Sequence, residues 1–395
     1  MNVENPTTVS TEGGSGRDPL QRIPLASVLL LCFVGILLNA ATMGPWRIAL
    51  DFHKFTDFRH FYAGAAMARS GNLYEIEQVR ATQRKLFGGI VPSLLLTRLP
   101  FYYAFLSPLA ALPFEAAQWV WLGGMVLAIG IFVCLWSVLC RGRTVAIVCC
   151  WSWPLLWSLP QGQDVALVLL FMGAGSWAFY ARKNWWLAGL LFSLCLIKFN
   201  LLLLCPLMMM GKLGRRKWHL AAGFLTGSAC LVGISFLVSG SGWPRQYLAL
   251  IFNPMASPVL GVMPNLRGLM VNLYGGRVLE FLFSLGVIGM VWWVVRHRPV
   301  GVAAAATVLG SLLLSQHAYI HDCAILIPVL LTLIRSANGE MVRLCALLLL
   351  LPVPYEFSFY WERGTALTML LLVLLAGVTW ASTNRRTPGT ACSEF

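Results

Sequence analysis

Charge is scarce in this sequence. Only 11% of its 395 residues are charged and 58% are apolar, which is outside the range of soluble globular domains. Once the apolar runs are marked, no polar stretch remains that could form a separate soluble domain, so the chain reads as one integral membrane domain with tails. The eleven cysteines include no CxxC pair and no Cys/His spacing of a zinc site, and they read as small buried hydrophobes. No Gly-rich loop is present to cradle a nucleotide. No clear internal repeat of the kind that marks many transporters is present either.

What charge there is has a pattern. The net charge of +14 would suggest nucleic acid in a soluble protein, but here Lys and Arg sit in short clusters between apolar runs and record topology instead. Residues 1–20 are polar and Gly/Ser/Thr-rich and read as a disordered cytoplasmic tail. The first apolar run could imitate a signal peptide, yet many further runs follow, so it reads as a span. About twelve apolar segments lie between residues 21 and 383, and 384–395 form a second cytoplasmic tail. The clusters at Arg141, Arg182, Lys212, Arg296, Arg335 and Arg385 all fall on one side only if Trp185 to Met210 goes in and returns. Two short spans or a re-entrant hairpin would both satisfy this. The remaining connections then face outward, including a long extracytoplasmic loop at 43–113. The expected fold is an all-α polytopic bundle of about twelve transmembrane or re-entrant helices, in the cell membrane, with both termini cytoplasmic.

The potentially reactive side chains collect at the outer face. The first loop carries Asp51 and Asp57, and a helical pattern through Phe58, Phe61, Tyr62, Ala65 and Ala66 starts at Asp57. The apolar face of that helix is expected on the membrane surface. From these residues alone, Asp57 is equally an N-cap and a catalytic base. RLPFYYAFLSPLAALP is too short to span and is expected to lie in the interface or re-enter. Lys198 lies inside an apolar hairpin, where a charge needs a cavity, a partner or the interface, and an anionic phosphate would satisfy it. Arg267 suits bidentate phosphate recognition. In QGQDVALV, Asp164 is expected to cap its helix, with Gln161 and Gln163 open to sugar hydroxyls. His317 and His321 are four apart with Asp322 adjacent. The spacing could hold a metal on one helix face, but the glutamate of HExxH is absent, and hydrogen bonding to substrate or to an acid is favoured.

The segments TDFRHFYAGAAMARSGNLYE, FYYAFLSPLAALP, QGQDVALVLL, WWLAGLLFSLCLIKFNLLLL, NLRGLM and SQHAYIHD, in this order, resemble glycosyltransferase family 87, the polyprenol-phosphate-mannose-dependent alpha-mannosyltransferase-like membrane enzymes. The resemblance implies a GT-C fold whose extracytoplasmic site takes sugar, mannose by default, from a polyprenyl-phosphate donor and passes it to a lipid or glycan acceptor. It further implies Asp57 as the first-loop acid with Asp51 as the substitute, His317 as the late outer-face histidine and Lys198 as the hairpin lysine. Lys198 and Arg267 are then candidates for the donor phosphate, and Tyr62, Gln163, His321 and Asp322 for substrate contacts. This chain departs from the family pattern at Gln316, where proline is common, and at His321, where an aromatic is common. No cofactor is required and no metal site is assigned; the partners are the donor, the acceptor and membrane lipids, not nucleic acid. The competing class is a transporter or flippase of a lipid-linked substrate.

Overall fold

The computed structural model describes residues 23–44, 56–68, 70, 72–88, 95–253, 259–336, 339–361 and 363–383. Both expected tails, Asp51 and Glu362 lie outside these residues. Every regular element among the described residues is helical. The first helix, α1 (Leu25–Met43), precedes three in the first loop: α2 (Thr56–Met67), α3 (Ile76–Phe87) and α4 (Pro100–Leu106). Next come α5 (Phe114–Cys140), α6 (Thr144–Trp151), α7 (Trp153–Gln161), α8 (Val165–Tyr180) and α9 (Trp185–Ser193). A 3-10 stretch at Leu194–Leu202 leads to α10 (Cys205–Lys212), α11 (Arg216–Ser239), α12 (Trp243–Ile251), α13 (Leu266–Asn272), α14 (Arg277–His297) and α15 (Val300–Leu314). A further 3-10 stretch, Ile320–Leu326, runs into α16 (Ile327–Ser336), followed by α17 (Glu340–Leu348), α18 (Val353–Tyr360) and α19 (Thr365–Thr383).

Among the described residues, five helical segments are long and apolar enough to cross a membrane by length and composition, Leu25–Met43, Phe114–Cys140, Trp185–Leu202, Arg216–Ser239 and Arg277–His297, of which Trp185–Leu202 is broken at Lys198. A sixth arises if α17 and α18, bent by 55°, count as one span. The protein is therefore a polytopic membrane protein, with fewer full-length spans than the twelve segments expected from the sequence. The difference has a physical origin, because hydropathy does not register where a helix breaks. The run at 144–161 is split at Ser152. The run at 185–212 is split by a 3-10 stretch in which Lys198 leaves helical geometry at φ −132° and ψ 55°.

That last break makes a hairpin. The Arg216 guanidinium lies 4.9 Å from the ring centre of Trp185, so the chain returns after Lys198 to the end from which it set out. Each arm climbs roughly 20 Å at the rise of α and 3-10 helices, short of the roughly 30 Å hydrocarbon core. The other basic clusters among the described residues gather at the same end. Lys212 Nζ donates to the Arg296 carbonyl at 3.3 Å, and Arg335 Nη1 donates to the Cys140 carbonyl at 2.6 Å. Cys140, Tyr180 and Leu213 line one cavity there.

Helix α15 is the central post. Apolar on all sides, it has eleven of its residues buried, as a helix without a polar face requires. By contrast α1 exposes Leu29, Leu30, Phe33 and Leu37, the outward face that a lipid solvent accepts. In lipid the hydrophobic effect does not drive helices together, so close backbone approach through small residues does more of the work. Helices α9 and α11 show this: a Cβ added at Gly189 would meet the Leu220 carbonyl oxygen at 2.0 Å, and one at Gly223 would meet that of Trp186 at 1.9 Å.

The first-loop helix α2 differs from expectation. The face of α2 carrying Phe58 and Phe61 does not rest on a membrane surface but is wholly buried in the bundle, with the Phe58 ring 5.5 Å from Trp121 and 5.9 Å from Phe114. Helix α4 is likewise buried through Phe101, Tyr102 and Tyr103, and the Phe101 amide donates to Ser235 Oγ of α11 at 3.1 Å. The loop thus forms a cap packed onto the bundle. Because backbone blocks the space at Gly223, Gly223→Leu is expected to lower stability by at least ~1–3 kcal/mol through overpacking. Thermal unfolding in detergent reads this, with Gly233→Leu, where a Cβ meets nothing within 4 Å, as the tolerant control.

Candidate active site

Four interruptions of regular helix meet at the end opposite the basic clusters: the start of α2, the segment before α4, the turn between α7 and α8, and the Lys198 break, which faces the 3-10 stretch at residue 320. Irregular backbone at membrane depth persists only where protein buries it or where it lines a cavity. Here each interruption delivers a polar side chain to one place.

Lys198 stands at the centre, 3% exposed. Its Nζ lies 2.5 Å from Asp322 Oδ1 and 3.1 Å from Asp164 Oδ1, and it donates to Gln163 Oε1 at 3.2 Å. Asp164, fully buried, also receives both donors of a bidentate Arg98 fork, Nε at 2.8 Å and Nη2 at 3.0 Å. Two cations and two carboxylates therefore balance, the condition under which charges tolerate burial. Asp322 is held further by the Tyr319 amide, which donates to its Oδ2 at 2.9 Å, and His321 Nε2 approaches Oδ1 at 3.7 Å.

Asp57 is attached to this ladder through Gln163, whose Nε2 donates to Asp57 Oδ2 at 2.5 Å while its Oε1 accepts from Lys198. The ammonium thus fixes which way the amide points. Asp57 sits in the first turn of α2 and is only partly buried, unlike the acids behind it. Burial pushes its carboxyl up to about 6, against the Gln163 hydrogen bond and the charges of Lys198 and Arg98, which pull it down. A carboxylate near neutrality is suited to taking up a proton.

The opposite wall is the 315–319 loop. Asn200, two residues past Lys198, donates to Ser315 Oγ at 2.9 Å and to the His317 carbonyl at 2.5 Å. Asn265 caps α13 by accepting from the Gly268 amide at 2.8 Å and donates to the Ser315 carbonyl at 2.8 Å. That bond ties Arg267, in the first turn of α13, to His317. The His317 ring packs edge-on to Tyr319 at 5.0 Å. Burial pushes His317 down to about 4, with Arg98, Lys198 and Arg267 acting in the same direction against Asp322, so its imidazole is neutral at pH 7.

The structure thus brings together Asp57, Gln163, Lys198, Asp322, His321, His317 and Arg267, and it revises four readings. Asp164 lies at the N-cap of α8 but makes no side-chain cap bond, because the stronger partners Arg98 and Lys198 take its oxygens. Lys198, which the sequence offered to a phosphate, has Asp322, Asp164 and Gln163 as protein acceptors around its ammonium. Tyr62 points away: its hydroxyl donates to the Leu112 carbonyl at 2.7 Å, and its ring packs 5.4 Å from Phe114. His317 and His321 do not share an α-helical face, because Ile320–Leu326 is 3-10 and His317 precedes it; the Tyr319 ring lies between them. Among the described residues, no group of three or more His, Cys, Asp or Glu side chains could hold a metal ion.

Sequence reasoning missed Arg98 and His60. Arg98 stood among the basic residues of a long loop, where charge says little about topology; its signal was its position at the edge of an apolar run. Its backbone is clamped by Tyr74, whose hydroxyl donates to the Arg98 carbonyl at 2.8 Å, and by the Arg98 amide donating to the Tyr103 hydroxyl at 3.2 Å. His60, one turn after Asp57, is buried, and Nδ1 has no hydrogen-bond partner among the described residues.

A multi-helix membrane protein that gathers a partly open carboxylate, a neutral histidine and an arginine around a buried, charge-balanced ladder has the layout of an integral membrane enzyme. The family model of glycosyltransferase family 87 matches residues 99–316, more than half of the chain, and the chain belongs to that family. It is a membrane glycosyltransferase, which implies a sugar donor and an acceptor. No curated protein and no solved structure matches the chain.

Asp164 is the hinge of the ladder. Asp164→Leu strands Arg98 and is expected to cost ~3–5 kcal/mol. Adding Arg98→Met should recover most of that loss, because Lys198 keeps Asp322; a double-mutant cycle in thermal unfolding measures the recovery.

Proposed function

We propose that the protein moves a sugar, mannose by default, from a polyprenyl-phosphate donor to an acceptor hydroxyl of a lipid or glycan at the extracytoplasmic face of the cell membrane, within a GT-C-like bundle. The observation that carries this reading is the placement of Asp57: one partly open carboxylate, held by Gln163 against a buried, neutral quartet of charges, opposite a wall bearing His317 and Arg267. The basic clusters at the far end support a cytoplasmic assignment for that end by the positive-inside rule, which leaves Asp57 outside.

In this reading Asp57 accepts the proton of the acceptor hydroxyl, and the acceptor oxygen attacks the anomeric carbon. The bond from that carbon to the phosphate oxygen breaks, and polyprenyl phosphate leaves with the electron pair. Arg267 meets the growing negative charge on the phosphate. Neutral His317 hydrogen-bonds the phosphate or the acceptor. Lys198 does not touch the reacting atoms; it orients Gln163 and keeps Asp322 and Asp164 ionised. His321 and Asp322 shape the substrate floor. Asp51 is the alternative first-loop acid.

Because the reactive groups gather at one end and do not line a path through the bundle, transfer is favoured over transport. Purified protein incubated with a panel of polyprenyl-phosphate sugars should consume one of them, and Asp57→Asn should lower the rate by ~10²–10⁴-fold. As the base must be ionised, the wild-type rate should rise with pH through about 6. Asp57→Asn removes a charge that desolvation disfavours in the folded state, so its thermal stability at pH 7 should not fall. Normal transfer by folded Asp57→Asn, or transport in proteoliposomes without any glycosyl transfer, would overturn the assignment.

A further inference from the structure

The half of the bundle remote from Asp57 contains a cavity of about 400 Å³. Its wall is almost entirely apolar. Met172 and Phe179 of α8, Phe192 of α9 and Ala304 of α15 contribute, and both arms of the Lys198 hairpin face into it through Leu196 and Met208. Protein interiors are close-packed, and every wall atom facing a void loses its dispersion partners. Water does not fill an apolar cavity. Within a bilayer the matter at hand with matching chemistry is hydrocarbon.

The surroundings narrow the occupant. Cys140, Tyr180 and Leu213 line the cavity at its basic end, and each is next to or within two residues of a cation: Arg141, Arg182 and Lys212. Arg141 and Arg182 are exposed and Lys212 is half-buried. Residues 136–144, 176–185, 205–220 and 292–301 contain no Asp or Glu, so no carboxylate in these segments neutralises the rim. Basic side chains bordering a gap between membrane helices recognise lipid phosphates.

We propose that this cavity is a lipid site, taking one hydrocarbon chain of an anionic lipid whose phosphate lies against the bordering cations Arg141, Arg182 and Lys212. The inference stands on the cavity and its rim and does not depend on which sugar is transferred or on the role of Asp57. Two sources share this chemistry: a bulk anionic phospholipid and a polyprenyl phosphate.

The test is native mass spectrometry of protein released from nanodiscs of phosphatidylcholine doped with phosphatidylglycerol in one arm and with a polyprenyl phosphate in the other. Wild-type protein should retain the anionic species over phosphatidylcholine by roughly tenfold or more, as about 1 kcal/mol per nearby cation implies. The arm with the greater retention identifies the source. Ala304→Phe and Ser176→Phe, on different helices, each fill part of the cavity and should remove the retained lipid, and Lys212→Gln combined with Arg182→Gln should remove the preference for the anionic species. Equal retention by wild-type and filled protein, or no preference of the wild-type protein between phosphatidylglycerol, polyprenyl phosphate and phosphatidylcholine, would overturn the proposal. Selectivity is read on wild-type protein, so a variant that fails to fold does not remove the test.

Discussion

A lysine ammonium cannot lie inside an apolar bundle unless negative charge lies beside it, and much of this protein's site follows from that constraint at Lys198. The partners, Asp164 and Asp322, come from two other parts of the chain. Two carboxylates against one ammonium would leave an excess negative charge in a medium that does not tolerate it, and Arg98 supplies the fourth member. The four charges fix the relative positions of the first-loop cap, the α7–α8 turn, the hairpin and the late 3-10 stretch. Gln163 then extends this fixed frame by one residue to Asp57, which needs to be held but not neutralised.

The frame exists because helices stop where they do. A continuous helix through Lys198 would carry its side chain on one face of a long span with no reason to meet the 315–319 loop. The departure from helical geometry at Lys198 instead turns the chain back, exposing the tip side chains Lys198 and Asn200 to α8 and to the loop after α15. The tight glycine contacts between α9 and α11 seat the outgoing arm of that hairpin. Stability and site geometry are thus set by the same packing.

The family match adds a further division. Residues 99–316 carry Gln163, Asp164, Lys198 and Arg267, while Arg98 and His317 each fall one residue outside that range and Asp57 and Asp322 lie further out on the two flanks. The matched core holds Asp164 and Lys198 of the frame and part of the far wall, and tertiary contacts recruit Arg98, Asp322, the partly open acid and the neutral histidine from its two flanks. Arg98, one residue before the matched range, joins the first loop to the bundle through Asp164.

The sequence by itself determined the solvent and the helical class, and it pointed to basic clusters at one end, reactive groups at the other and a chain that turns back around Lys198, because each rests on residue type and order. Lys198 could be read as an important intramembrane charge for the same reason. Its partners could not be read, since Asp164, Asp322 and Arg98 are far away in the chain and hydropathy carries no distance. Asp164 looked like a helix cap because local reasoning sees only its own helix, whereas in the fold two cations outcompete the backbone amides. Tyr62 looked like a site residue because it shares a helix with Asp57, but the helix presents it to Leu112 and Phe114. Residue chemistry is written in the sequence; which charges neutralise one another in a low-dielectric interior is decided only when the chain brings them within 2.5 to 3.1 Å.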